Sequence, residues 1–118
     1  NLAREKARYN KLPILIYAIT QKENYDQVLV LDADSMVVDL DFDISQLMRK
    51  EDFLVAHRVN SDDSPRTWNI NNGVTLWNLH HPLTKTVTRK WLQLTVEGLT
   101  KAKKRNETEH GDQNFLHR

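Results

Sequence analysis

The chain has 118 residues, enough for one hydrophobic core, with seventeen basic against sixteen acidic side chains and a formal net charge of +1. That balance lacks the basic excess of a nucleic-acid footprint, so no nucleic-acid partner is expected; no apolar run reaches bilayer length, and no signal-peptide pattern opens the chain. The absence of cysteine excludes Cys-based zinc sites, and three Gly and three Pro are too few for a linker-rich or disordered chain.

In chain order, Asn1 to Tyr9 is charged and helix-prone, and Asn10-Lys11-Leu12-Pro13 interrupts it. Pro disfavours helical geometry in the residue before it and suits the first turn of a new helix. From Pro13, residues Ile14, Leu15, Tyr17, Ala18 and Ile19 are expected to cover one helical face, with Asn10 or Lys11 near the cap. Gln21 to Gln27 is a polar connection. Val28-Leu29-Val30-Leu31 is an unbroken apolar run and reads as a strand buried on both faces, as in a parallel sheet.

Met36-Val37-Val38 continues extended, and Asp39 to Ile44 alternates polar with apolar. The alternation is strand-like, but three Asp lower strand propensity, and Asp43 or Ser45 can instead cap a short helix through Arg49. A calcium loop starting at Asp39 would need Gly and Glu where Ile44 and Lys50 stand, so the expected role is a solvated, capping turn. Phe53-Leu54-Val55-Ala56 is a second short strand, and Asn60 to Arg66, with Pro65, is a loop. In Trp68 to Leu79, Asn72-Gly73 is the strongest short turn signal, followed by a strand over Val74 to Leu79. A plain hairpin turn is one reading of it. His80-His81-Pro82 closes the strand. Thr84 to Leu99 reads as helix, stopped by Gly98 or by the basic run that follows. Lys101 to Glu109 is an exposed loop or frayed helix end, and Gly111-Asp112-Gln113 opens a final helix. This order makes an α/β fold with a mixed sheet flanked by helices. Both ends read as cut, so residues 1–118 are expected to be the central part of a single larger catalytic domain.

Chemistry concentrates where the first strand ends, at Asp32-Ala33-Asp34. Open α/β sheets place ligands at the carboxyl ends of their strands. In a regular strand the two carboxylates point the same way; if the chain turns at Ala33 they approach one point from different directions. Either arrangement clusters hard oxygens suited to Mg²⁺ or Mn²⁺. The alternative for such a pair is a solvated turn. Lys11 is either a solvated helix-start lysine or an anion contact, Asp112 either a helix cap or a site residue, and Trp68 and Trp77 core or pocket wall. His80 and His81 read as a strand-end loop.

Three ordered motifs, "YDQVLVLDADSMV" after the Lys11 helix, "WNINNGVTLWNLHHP" and "GDQNFLH", resemble nucleotide-sugar-dependent glycosyltransferases of the GT-A fold. The similarity is greatest to the eukaryotic galactosyl, xylosyl and mannosyl transferases and spans residues 11 to 117. It implies a Rossmann-like GT-A domain, a UDP- or GDP-sugar donor, a glycan or glycoprotein acceptor, and Mn²⁺ or Mg²⁺ as cofactor. It assigns metal ligation to Asp34 and Asp32, with Asp32 also near ribose. Lys11 goes to the diphosphate, Asn71, Asn72 and Gly73 to the sugar pocket, and Asp112 and Gln113 to the transferred sugar. Golgi residence of the full-length protein is implied as well, and the sequon Asn106-Glu107-Thr108 agrees with a secretory compartment. Two departures from the family pattern are the missing amino-terminal base-binding unit and the missing later metal-site His, which His117 precedes. They imply an inactive fragment.

Two other functions share parts of this pattern. Haloacid-dehalogenase-like phosphohydrolases also end a buried strand in Asp-x-Asp, but Met36 and the "NINNGV" strand do not suit them. A catalytically inactive, sugar-binding GT-A-like domain would not need both Asp and the Asp-Gln pair.

Overall fold

The computed structural model describes residues 9–58 and 70–105, without the side chains of 58, 102, 104 and 105. Within them lie helix α1 (Lys11–Thr20), strand β1 (Gln27–Leu31), a 3₁₀ turn (Ile44–Leu47), strands β2 (Leu54–Arg58) and β3 (Ile70–Asn78), and helix α2 (Pro82–Arg105). The unit is α/β, with a three-stranded sheet in the order β1-β3-β2.

Both strand pairings are antiparallel, which corrects the expected mixed sheet among the described residues. Val28 faces Trp77 and Val30 faces Thr75 across β1 and β3, and Leu54 faces Trp77 from β2. Residues directly opposite share a face. Val28, Val30, Leu54 and Trp77 therefore present one apolar face, and Leu12 and Leu15 of α1 and Trp91 of α2 pack on it. Burying each leucine there contributes about 1.5–3 kcal/mol. Trp77 is the centre of this core, fully buried, with Trp91 stacked at 6.4 Å and Phe53 tilted at 6.4 Å. Its indole N–H donates to Thr75 Oγ1 at 2.9 Å, so the large ring is buried with its one donor satisfied.

β1 is half-buried and Leu31 is exposed, not enclosed on both faces. Among the described residues its pairing runs along one edge only, to β3. The apolar stripe of α1 is Leu12 and Leu15, with Ile16 and Ile19 half-buried, while Ile14 and Tyr17 face solvent. Pro13 sits in the first turn, where its missing N–H costs no helical hydrogen bond.

The Asp39 to Ile44 stretch is the solvated, capping turn expected of it: Asp39 Oδ1 accepts the Asp41 amide, and Asp43 caps the 3₁₀ turn through the Ser45 amide at 3.0 Å, while Met36 to Phe42 forms no strand. Short acceptors beside their own backbone compete with strand pairing. Asn72-Gly73 is no turn but lies inside β3, where the register against β2 slips between Ala56 and His57. Glycine within a strand often marks such an irregularity. Finally, α2 runs through Gly98 to Arg105, because Lys101-Ala102-Lys103 are strong helix formers and cations suit a helix carboxyl end. Of its buried threonines, Thr88 back-bonds within the helix, Oγ1 donating to the Thr84 carbonyl at 2.8 Å, Thr84 donates instead to the Asn78 carbonyl, and the Thr95 hydroxyl has no partner among the described residues.

Candidate functional site

The carboxyl end of β1 gathers residues from three distant stretches. Pairing with β3 continues one residue past the strand, the Asp32 amide donating to the Gly73 carbonyl at 2.8 Å. Opposite residues share a face, so Asp32 projects toward the helices, as Val28 and Val30 do. There Lys11, the first residue of α1, donates from Nζ to Asp32 Oδ1 at 2.6 Å. The lysine side chain is only 15% exposed and the aspartate 41%. An ammonium so far withdrawn from water needs a compensating anion, and Asp32 supplies it.

The chain then turns. The Asp32 carbonyl accepts the Ser35 amide at 2.9 Å, which places Ala33 and Asp34 at the centre of a β-turn. Of the two geometries open to the Asp pair, the turn at Ala33 is the one adopted. Asp34 is consequently exposed. Ser35, which the sequence did not single out, also aims its hydroxyl at the Gly73 carbonyl from 3.5 Å.

Gly73 is placed tightly against this pair. A Cβ there would stand 3.1 Å from Asp32 Oδ2 and 2.9 Å from Asn71 Oδ1. Asn71 holds its position by accepting the Gly73 amide at 2.7 Å. Asn72 separates from the others: it is 2% exposed, and its Nδ2 has no hydrogen-bond partner among the described residues. The structure thus brings Lys11, Asp32, Asn71 and Gly73 together, leaves Asp34 at the rim and buries Asn72. Asp112, Gln113, Trp68, His117 and the Asn106 sequon lie outside the described residues.

Lys11 brings a cation to the amino end of α1, where the helix dipole is already positive. Beside it stand one neutralised and one exposed carboxylate. Such an arrangement can hold an anion against Lys11 and a hard cation against the carboxylates. Among the described residues no three His, Cys, Asp or Glu side chains gather to hold a metal. Asp32 and Asp34 offer hard oxygens of the kind Mg²⁺ and Mn²⁺ take beside water and substrate phosphates, and one Asp32 oxygen is already engaged by Lys11. His80 and His81 serve elsewhere. His80 Nε2 meets Asp26 Oδ1 at 3.0 Å, and His81 Nδ1 accepts the Leu83 amide at 3.1 Å, capping α2.

No family profile matches the chain, and no curated protein and no solved structure matches it. Among the described residues no helix is long and apolar enough to cross a membrane.

Proposed function

We propose that this chain carries the donor-binding centre of a metal-assisted glycosyltransferase, which moves a sugar from a UDP- or GDP-linked donor to a glycan or glycoprotein acceptor. The observation that supports it is the meeting of Lys11, Asp32 and Gly73 at the carboxyl end of β1, three residues from separate motifs in one place. The GT-A resemblance supplies the order of those motifs, and the proposed setting is the Golgi lumen of the full-length protein. In this reading Lys11 faces the donor diphosphate, and its contact with Asp32 fixes where that charge sits. Asp34 and Asp32 would hold Mn²⁺ or Mg²⁺, which when bound neutralises charge developing on the departing diphosphate. Asn71 offers an amide to sugar hydroxyls, and Gly73 lets a ligand approach the backbone closely. Asp112 and Gln113 would position the transferred sugar.

The test is turnover of sugar nucleotide by the full-length protein with manganese. Asp34 is exposed in a turn, so Asp34→Ala should abolish metal-dependent turnover and leave the circular dichroism spectrum unchanged. Retained turnover removes the metal assignment. Beryllofluoride trapping at Asp32, with no binding of UDP or GDP, would instead favour the phosphohydrolase.

A further inference from the structure

The two ends of α1 carry different chemistry. Lys11 opens the helix at the site described above; at its other end Ile16 and Ile19 form one wall of a cleft of about 410 Å³. The start of α2 and the buried Leu79 before it line it as well. A helix of ten residues is about 15 Å long, so the cleft is separate from the Asp32 end.

Three permanent cations line it: Lys22 beyond the end of α1, and Lys85 and Arg89 on α2. None of their side chains makes a hydrogen bond or ion pair among the described residues. Glu23 is the single carboxylate in the lining, so the cleft carries an excess of positive charge. Two features make this placement unfavourable for the protein alone. Lys85 and Arg89 are four residues apart on one helical face, where like charges repel. Lys85 also stands in the first turn of α2, which has no acidic residue, at the end where the helix dipole disfavours a cation. His80 and His81, also in the lining, are engaged with Asp26 and the Leu83 amide and do not relieve it.

We infer that this cleft is a second binding site, for a small phosphomonoester. Its phosphate dianion would lie among Lys22, Lys85 and Arg89, and its apolar body against Ile16, Ile19 and Leu79. The volume falls within the range of small-molecule pockets, and an apolar lining with a few converging polar groups is their usual make-up. The inference does not rest on the glycosyltransferase reading, because it shares no residue with that site.

Titration of the ¹⁵N-labelled chain with phenyl phosphate tests it. Saturable amide shifts are expected at Lys22, Lys85 and Arg89, in 150 mM salt, and Lys85→Gln with Arg89→Gln should weaken binding at least tenfold. Both positions are exposed, so the double variant should keep its fold, as its tryptophan fluorescence would verify. Lys101→Gln, at the far end of α2, should change the affinity less than twofold. Absence of saturable shifts in the cleft at millimolar ligand overturns the inference, as does equal binding by the double variant. Loss of binding in Lys101→Gln alone would assign the anion to charge outside the cleft and overturn it too.

Discussion

Replacing Gly73 by Ala tests whether the site is as tightly assembled as its distances indicate. The new methyl would lie 2.9 Å from Asn71 Oδ1 and 3.1 Å from Asp32 Oδ2, inside ordinary contact distance for both. Asn71 must move, and that breaks its bond from the Gly73 amide, a loss of about 0.5–1.5 kcal/mol. Asp32 must move too, which disturbs a partly exposed ion pair worth about 1 kcal/mol or less. Against this, Gly→Ala restricts the unfolded chain and returns about 0.4–1 kcal/mol. The expected net effect is a destabilisation of about 1 kcal/mol, or a fall of roughly 4 °C in Tm for a domain of this size. Urea unfolding, followed by tryptophan fluorescence, measures it. The decisive comparison is the same substitution in an Asn71→Ala background, where the nearest oxygen is gone. There Gly73→Ala should be neutral or stabilising, and the cycle should show a coupling of about 1 kcal/mol. An equal cost in both backgrounds would refute the packing described between Asn71, Gly73 and Asp32.

Two more predictions concern the frame around the site. Trp77→Ala empties the centre of the core at a cost of about 3–5 kcal/mol, a large share of the 5–15 kcal/mol typical of a domain, so the cooperative urea transition should be lost. A preserved transition near the original midpoint would mean that Trp77 is not the keystone of the core. The Asp43 carboxyl is held below the usual 3.8 by the Ser45 hydroxyl and amide, and Asp52 likewise by the Arg49 side chain and amide. A lowered folded pKa means that the unfolded chain binds more protons, so this stabilisation is complete above the unfolded value and fades as pH falls through the folded one. The Ser45 and Arg49 amide signals should therefore titrate with midpoints below 3.8, and a midpoint at or above it would contradict both contacts.

What the sequence disclosed divides by distance along the chain. The start of α1, the apolar run of β1 and the Asp43 cap are local matters, set by Pro13, by Val28 to Leu31 and by a carboxylate two residues before its donor. Pairing is not local. An apolar run does not encode the direction of its neighbour: Val28 to Leu31 reads as a parallel-sheet strand, yet its partners run backwards along β3 from Trp77 to Val74, so the pair is antiparallel. Asn72-Gly73 carries genuine turn chemistry, yet it stays within β3, between the β2 pairings on either side of it and with the Gly73 carbonyl bonded to the Asp32 amide. Gly98 carries a weak stop signal that the helix-forming residues after it override. Of the site, the sequence offered Lys11 and Asp32 separately but not their contact, and Ser35 and the cleft cations carried only faint marks. For Lys85 and Arg89 the mark was a like-charge pair four residues apart at a helix start without acids.

Register connects these two kinds of information. Asp32 reaches Lys11 only because it falls on the same face as Val28 and Val30, the residues that bind the sheet to the helices. A slip of one residue between β1 and β3 would turn Val28 and Val30 away from Leu12 and Leu15, and with them Asp32 away from Lys11. The apolar packing that sets the register therefore also sets the ion pair, and no separate interaction is needed to bring the two charges together. Asp34 escapes this control, since the turn at Ala33 releases it from the strand alternation. That division suits the roles proposed for the two acids: one carboxylate fixed by the core at a lysine, the other left at the rim, free to take a ligand from solution.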